Sequence, residues 1–317
     1  LVGSEMCIRD SSKPLAAGFA LFGLLASSVG TPLVQSNTIA MSVNDAVLLF
    51  LPKAEQKTVC IIAGAVTAAL VGIVILGGIQ RIGKASEIIV PFMAIGYIAI
   101  CIIVLSRFGS RILPAFRDIF SGALGIKQAV GGAAGFGAAR ALRIGMARGV
   151  YSNEAGVGSA PMAHACANTN DPVKQGMYGI FEVFADTIVM CTMTALVVLA
   201  SGIPLQAGGE ISGTSIALRA FSTVLPERTT GIFLAVSMLL FAYTSLLGWA
   251  VYGMQCAKYL FGKRAPLPFC ILYTVLTFAG ALMKVDFVWT AGETLNYLMA
   301  APNMLALLVP VSYTHLT

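Results

Sequence analysis

The residues best suited to chemistry lie in one glycine-rich stretch that also carries charges, residues 131–161 (GGAAGFGAARALRIGMARGVYSNEAGVGSAP). Charged side chains are costly inside a membrane, so where they occur they usually mark a pathway, a partner or a binding site. Glycine lowers the cost of unwinding a helix. Unwound backbone exposes carbonyl and N–H groups, which can bind an ion or a substrate.

Two interpretations of this stretch stay open. The GxxxG pairs Gly131/Gly135 and Gly145/Gly149 are typical of close helix packing. Alternatively, the stretch is a discontinuous helix, and its unwound backbone at Gly131, Gly132 and Gly135 lines a site for a substrate or an ion.

The segment Ser152-Asn153-Glu154 is typical of a helix start. Ser152 or Asn153 would cap the helix, and the Glu154 carboxylate would lie near its positive end. Pro161 would then lie in the following helix. Asn153 and Glu154, together with Asp186, are our candidates for a gating or structural role.

Glu182 and Asp186 are four residues apart, so they share one helix face. The two carboxylates could bind a cation or pair with Arg140 or Arg143. We expect Glu182 to be solvated near the membrane surface and Asp186 to have a buried partner.

Amide and hydroxyl side chains follow one another at residues 35–38 (QSNT) in the first apolar run. Amides offer both donors and acceptors, and a zwitterionic amino acid needs both. This cluster could therefore meet a substrate, or it could join neighbouring helices.

A second polar group lies in residues 241–249, FAYTSLLGW. The hydroxyls of Thr244 and Ser245, with backbone carbonyls, suit a dehydrated sodium ion because hard cations take oxygen ligands. Trp249, one turn after Ser245, could cover a small apolar side chain. Alternatively, the hydroxyls bond back to the preceding turn of their own helix. Trp289, Glu293 and Asn296 are typical of a helix entrance at the membrane interface, with the tryptophan as anchor.

Motifs of enzyme chemistry are absent from the sequence: there is no HExxH, GxSxG, Walker A or GxGxxG. The seven cysteines lack metal-ligand spacing, and there are only two histidines. We therefore expect no catalytic residues, no enzyme activity and no cofactor, with sodium as the one metal ion involved.

The elements that carry these residues must be membrane helices. Hydrophobic residues make up 57% of the 317-residue chain and charged residues 11%, whereas a soluble domain has about 25% charged residues. This excludes a soluble enzyme, a disordered protein and a nucleic-acid binder.

Backbone groups in lipid must be paired within the segment, and unbroken apolar runs therefore predict helices. The runs predict an all-α polytopic protein with about eight membrane elements: 15–42, 58–79, 86–107, 128–168, 175–201, 229–261, 265–283 and 287–311. Residues 108–127 predict an amphipathic helix at the interface.

Residues 149–161, GVYSNEAGVGSAP, resemble the SNEAGxGSAP motif of the alanine/glycine:cation symporter family, the prokaryotic sodium:alanine symporters. The likeness extends over residues 14–311, through GGAAGFG, the run from QGMYGIFEVFADT onward, FAYTSLLGWAVYG and LMAAPNMLALL. The resemblance implies a LeuT-type inverted-repeat transporter fold of eleven helices. About eight of them would be present in a partial transporter domain, 14–311. Residues 1–13 and 312–317 do not resemble the family and are expected to be non-family tails of an N-terminally truncated chain.

The resemblance also implies roles for individual residues. Gln35 matches a substrate-binding amide, and Phe136 matches the aromatic residue that closes over the substrate. Ser245 and Trp249 match the substrate-facing hydroxyl and indole. The Phe241 carbonyl, Thr244 and Ser245 resemble the sodium site. The chain departs from the usual family pattern at four positions: Gly137, Glu182, Met254 and Glu293.

These observations predict sodium-coupled symport of alanine or glycine by a monomeric multi-pass protein in the lipid bilayer of the prokaryotic cytoplasmic (inner) membrane. Two alternatives stay open: an uncoupled amino-acid channel or facilitator, and a non-transporting membrane subunit.

Overall fold

A computed structural model describes residues 13–123, 132–154, 156–167, 171–204 and 213–308. The regular secondary structure of these residues is helical. The predicted all-α class is therefore confirmed.

The helices are numbered here in chain order. The first, α1, spans Lys13–Leu48 and contains a π-helical turn at Ala26–Gly30. Then follow α2 (Gln56–Ile75), α3 (Ile79–Arg107), α4 (Gly109–Ala123), α5 (Gly132–Asn153) and α6 (Ala160–His164). The helix α7 joins Pro172–Val183, a π-helical stretch Phe184–Cys191, and Thr192–Ala200. The last are α8 (Gly213–Phe221), α9 (Glu227–Phe261), α10 (Pro266–Gly280) and α11 (Val285–Leu308).

Five of the described helices are long and apolar enough to cross a membrane: α1, α2, α3, α7 and α9. Each overlaps a predicted element, and α10 is a shorter apolar helix. Long apolar helices of this kind are typical of a multi-pass membrane protein. The total of eight membrane elements and the LeuT-type arrangement stay predictions, as do the two tails.

The predicted amphipathic helix is present as α4, and its apolar side packs against other helices. Ile112, Phe116 and Ile119 pack against a buried cluster that joins Ala115 of α4 to residues of α3, α7, α8 and α9, whereas Phe120 is 62% exposed. The apolar spacing of these residues continues to Leu124, which lies outside the described residues. The position of α4 at a membrane interface stays a prediction.

The core that positions the candidate site is built from α1, α2, α9 and α10. Ile39, Val71, Leu246 and Tyr273 belong to one buried cluster that joins these four helices. The crossing of α1 and α10 is especially close, because a Cβ on Gly280 would lie only 2.5 Å from the Cα of Leu33.

We expect Gly280→Ala to destabilise the protein, since the new methyl group can fit only if the two helix backbones move apart. The melting temperature of the purified protein should fall by several degrees. Gly96→Ala in α3 is the matched control, because a Cβ there meets nothing within 4 Å. Equal melting temperatures for the two variants would contradict the close crossing.

Candidate functional site

The helix interruption lies at residues 154–159, between the end of α5 and the start of α6. Three residues of this segment have positive φ: Glu154 (56°), Gly156 (74°) and Gly158 (89°). A glutamate rarely adopts this left-handed conformation, and such residues usually persist only where the surrounding structure holds them. We call residues 154–159 the interrupted segment.

The interruption is not where the glycine pattern predicted it. Gly132 and Gly135 lie in the regular helix α5, and Gly131 lies outside the described residues. Glycine alone does not unwind a helix whose neighbouring residues are alanines, which are the best helix formers. Close packing is not seen at Gly145 and Gly149 among the described residues either, because a Cβ on each would meet nothing there within 4 Å.

The prediction of a helix start at Ser152-Asn153-Glu154 is also wrong. Ser152 and Asn153 form the end of α5, and Glu154 follows the helix. The amide of Asn153 does not cap a helix; it donates to the Thr187 hydroxyl in α7 over 2.7 Å. The prediction for Pro161 is confirmed, because this residue lies in the first turn of α6.

The interrupted segment closes on itself around Glu154. The Val157 N–H donates to the Glu154 carbonyl over 3.2 Å, and the Ser159 hydroxyl donates to the Glu154 carboxylate. The side chain of Trp249 also interacts with this carboxylate. The turn therefore presents Glu154 to α9.

Trp249 is 7% exposed and lies where α1, α9 and α11 meet the interrupted segment. Its ring is edge-on to Tyr252, with centroids 5.4 Å apart. It shares a buried cluster with Phe19, Val157 and Met299. The structure thus brings together two candidate residues that are far apart in sequence, Trp249 of α9 and Glu154 of the interrupted segment.

Asn303 of α11 holds the interrupted segment from the other side. Its side-chain N–H donates to the Gly156 carbonyl over 2.9 Å. Sequence reasoning assigns no role to Asn303 or to Ser159. The signal that could have found Asn303 is a polar amide beside Pro302 in an apolar helix, where buried polar groups need a partner.

A second contact between α5 and α11 involves residues that were expected at a helix entrance. The Arg148 Nε lies 3.0 Å from a carboxylate oxygen of Glu293, within ion-pair distance but without the alignment of a hydrogen bond. The guanidinium carbon lies 4.0 Å from the centre of the Trp289 ring, and Tyr151 packs against the same ring. Trp289 and Glu293 therefore attach the end of α5 to α11.

The predicted sodium ligands lie on α9 where it faces α3. The Thr244 hydroxyl lies 2.9 Å from the Phe241 carbonyl and 3.0 Å from the Leu240 carbonyl, and it donates to both. It is also 3.8 Å from the Met93 sulfur of α3. This hydroxyl thus follows the alternative of bonding back to its own helix. Ser245 is half-buried.

Two of the four polar residues at 35–38 in α1 donate to backbone carbonyls at residues 277–283. Ser36 donates to the Thr277 carbonyl, and the Asn37 amide donates to the carbonyls of Gly280 (3.1 Å) and Met283 (2.8 Å). Thr38 bonds back to the Val34 carbonyl over 2.9 Å. Gln35 is half-buried and takes no part in these bonds. The side chain of Phe136 lies outside the described residues.

The two carboxylates of α7 are exposed. The Glu182 side chain is 71% exposed and lies 3.7 Å from Nε2 of His164, and its position near the membrane surface stays a prediction. Asp186 is exposed as well, so the expectation of a buried partner is wrong for the part of the chain that the structure describes. Asp186 lies in the π-helical stretch of α7, in which no described residue is buried.

Comparison with known proteins identifies the family. The model of the sodium:alanine symporter family matches residues 7–315. The chain belongs to the sodium:alanine symporter family. A member of this transporter family is not an enzyme. One relative is the sodium/alanine symporter AgcS of Methanococcus maripaludis, 38% identical over 300 residues, which cover 94% of this chain and 62% of AgcS.

Two other relatives of this chain have names that state different substrates. The "Probable sodium/glutamine symporter GlnT" of Bacillus subtilis is 34% identical, with 92% of this chain and 58% of that protein covered. The sodium/proton-dependent alanine carrier protein of Bacillus sp. PS3 is 29% identical, with 90% and 65% covered. The chain spans about three fifths of the length of these relatives.

Proposed function

We propose that the protein carrying this chain is a secondary symporter that moves a small neutral amino acid, alanine or glycine, together with Na⁺ across the prokaryotic cytoplasmic membrane. The observation that carries the proposal is that the interrupted segment packs against the buried side chain of Trp249. Discontinuous helices are where many secondary transporters bind their substrates and coupling ions. Family membership supports the same reading.

The substrate would lie among residues of α1, α5 and α9. We assign the Gln35 amide to the substrate carboxylate, and Phe136, Ser245 and Trp249 to the rest of the molecule. Trp249 is enclosed by Tyr252, Val157 and Met299. We favour alanine or glycine as the substrate because relatives named as alanine symporters or carriers belong to the same family.

Sodium would bind at the Phe241 carbonyl with the hydroxyls of Thr244 and Ser245. Two of these three oxygen atoms already lie 2.9 Å apart. To bind the ion, the Thr244 hydroxyl must turn its proton away from the carbonyls that it now contacts. If Na⁺ and the amino acid both bind one conformation better, each raises the affinity of the other. This linkage is the physical basis of coupling.

The test is uptake of labelled alanine into vesicles that contain the full gene product. We expect accumulation against the alanine gradient only when a Na⁺ gradient is imposed. Equal uptake without Na⁺ would instead support a facilitator. A non-transporting membrane subunit predicts no uptake, and no change of melting temperature with alanine or glycine.

Ser245→Ala should weaken the dependence of uptake on Na⁺, because it removes one oxygen ligand. We expect the Na⁺ concentration for half-maximal uptake to rise about tenfold, which corresponds to the loss of about 1.4 kcal/mol. Ser237→Ala, a buried serine two turns earlier in α9, is the control and should leave this concentration unchanged. An unchanged Na⁺ dependence in Ser245→Ala would remove Ser245 from the sodium site.

A further inference from the structure

We propose that Asn303 of α11 is a positioning residue of the candidate site: its side-chain amide holds the interrupted segment in the conformation that presents Glu154 to Trp249. The role in transport rests on the proposed function, but the effect on the segment can be measured without transport.

Asn303 contacts the segment at two points on either side of Val157. Its N–H donates to the Gly156 carbonyl over 2.9 Å. A Cβ on Gly158 would lie 2.9 Å from the Asn303 amide carbon and 3.0 Å from its oxygen. Asn303 is 5% exposed. The amide thus packs directly against the backbone that it hydrogen-bonds.

The Gly156 carbonyl needs this donor because it lies outside α5 and α6. A carbonyl that is shielded from water is costly to leave without a hydrogen-bond partner. The turn that Asn303 fixes is the one closed by the Val157 N–H and the Glu154 carbonyl. The left-handed backbone of Glu154 is therefore maintained from α11.

A second contact means that α11 supports both the end of α5 and the interrupted segment. Glu293 and Trp289 bind Arg148 at the end of α5. Glu293 and Asn303 are ten residues apart in the same helix, a separation of about 15 Å. Any displacement of α11 therefore moves both the end of α5 and the interrupted segment, and Glu154 with them.

The matched experiment compares Asn303→Ala with Asn37→Ala. Both residues are buried asparagines whose amides donate to backbone carbonyls, but Asn37 binds the Gly280 and Met283 carbonyls of the α1–α10 contact. Hydrogen–deuterium exchange of the folded protein reports each region separately. We expect Asn303→Ala to speed exchange of the amides at 154–160 about tenfold and to leave 277–283 unchanged. Asn37→Ala should do the reverse.

The transport arm uses the same two variants. We expect Asn303→Ala to raise the alanine concentration for half-maximal uptake about tenfold, and Asn37→Ala to leave it unchanged. Asn303→Gln, which keeps a donor but displaces it by one methylene, should fall between the unaltered protein and Asn303→Ala in both measurements. If Asn303→Ala cannot be purified, Asn303→Gln decides the question by exchange at 154–160.

Unchanged exchange at 154–160 in the Asn303 variants would overturn the proposal. Faster exchange with an unchanged alanine concentration for half-maximal uptake would also overturn it. Asn303 would then hold the segment without affecting substrate binding. If the unaltered protein does not take up alanine, the proposed function fails, and the exchange measurement still decides whether Asn303 positions Glu154.

Discussion

Gly158→Ala should reduce uptake of alanine by at least tenfold. Gly158 has a φ of 89°, a left-handed conformation that costs a residue with a side chain about 1–3 kcal/mol. The added Cβ would also lie 2.8 Å from a ring carbon of Phe19 and 2.9 Å from the Asn303 amide carbon. Relief of either contact shifts the turn that carries Glu154. Labelled-alanine uptake, normalised to the amount of protein in the membrane, measures the effect.

Gly149→Ala is the control for this prediction. Gly149 lies in α5, nine residues earlier, and a Cβ there would meet nothing within 4 Å. Alanine favours a helix over glycine by about 1 kcal/mol, so this variant should fold and transport at least as well as the unaltered protein. Similar losses in both variants would show that any added methyl group in this stretch is harmful, and the argument from the Gly158 backbone would fail.

The membrane helices could be predicted because their signal is local. A run of about 20 residues without charges must form a helix in lipid, whatever surrounds it. The predicted runs 58–79 and 229–261 accordingly match Gln56–Ile75 and Glu227–Phe261 within a few residues. The amphipathic pattern of α4 is equally local, since apolar side chains at three- and four-residue intervals share a helix face.

The position of the interruption could not be predicted, because it depends on residues far away in sequence. Composition pointed to residues 131–161, and the interruption lies within them. The glycines at 132 and 135 are helical, whereas those at 156 and 158 are held by Asn303 and packed against Phe19. A pattern of glycines indicates where a chain can leave the helix, and tertiary contacts decide where it does.

The sequence likewise predicts some features of the candidate site and not others. The sequence motif around residues 241–249 placed Ser245 and Trp249 on one face of α9, since they are one turn apart. It left open whether the Thr244 hydroxyl would bind an ion or bond back to its own helix, and it could not indicate that Trp249 would meet Glu154. The contact between Trp249 and the interrupted segment depends on how α9 packs against distant parts of the chain.

Trp249 is the side chain of this site whose loss should have the largest effect on substrate affinity. It is 7% exposed and contacts α1, α11 and the interrupted segment. Replacement of a buried tryptophan by alanine costs about 3–5 kcal/mol through lost contacts and the cavity left behind. Trp249→Ala should therefore lower the melting temperature markedly and leave uptake too low to measure.

Trp249→Phe separates substrate affinity from stability. Phenylalanine keeps most of the apolar ring, so the melting temperature should change little, but it removes the indole N–H beside Glu154. We expect the alanine concentration for half-maximal uptake to rise about tenfold. Trp289→Phe is the control, because Trp289 stacks on Arg148 at the end of α5 and the change keeps an aromatic face there. If Trp289→Phe raised that concentration as much as Trp249→Phe, the effect would come from the α5–α11 contact, and Trp249 would not bind the substrate.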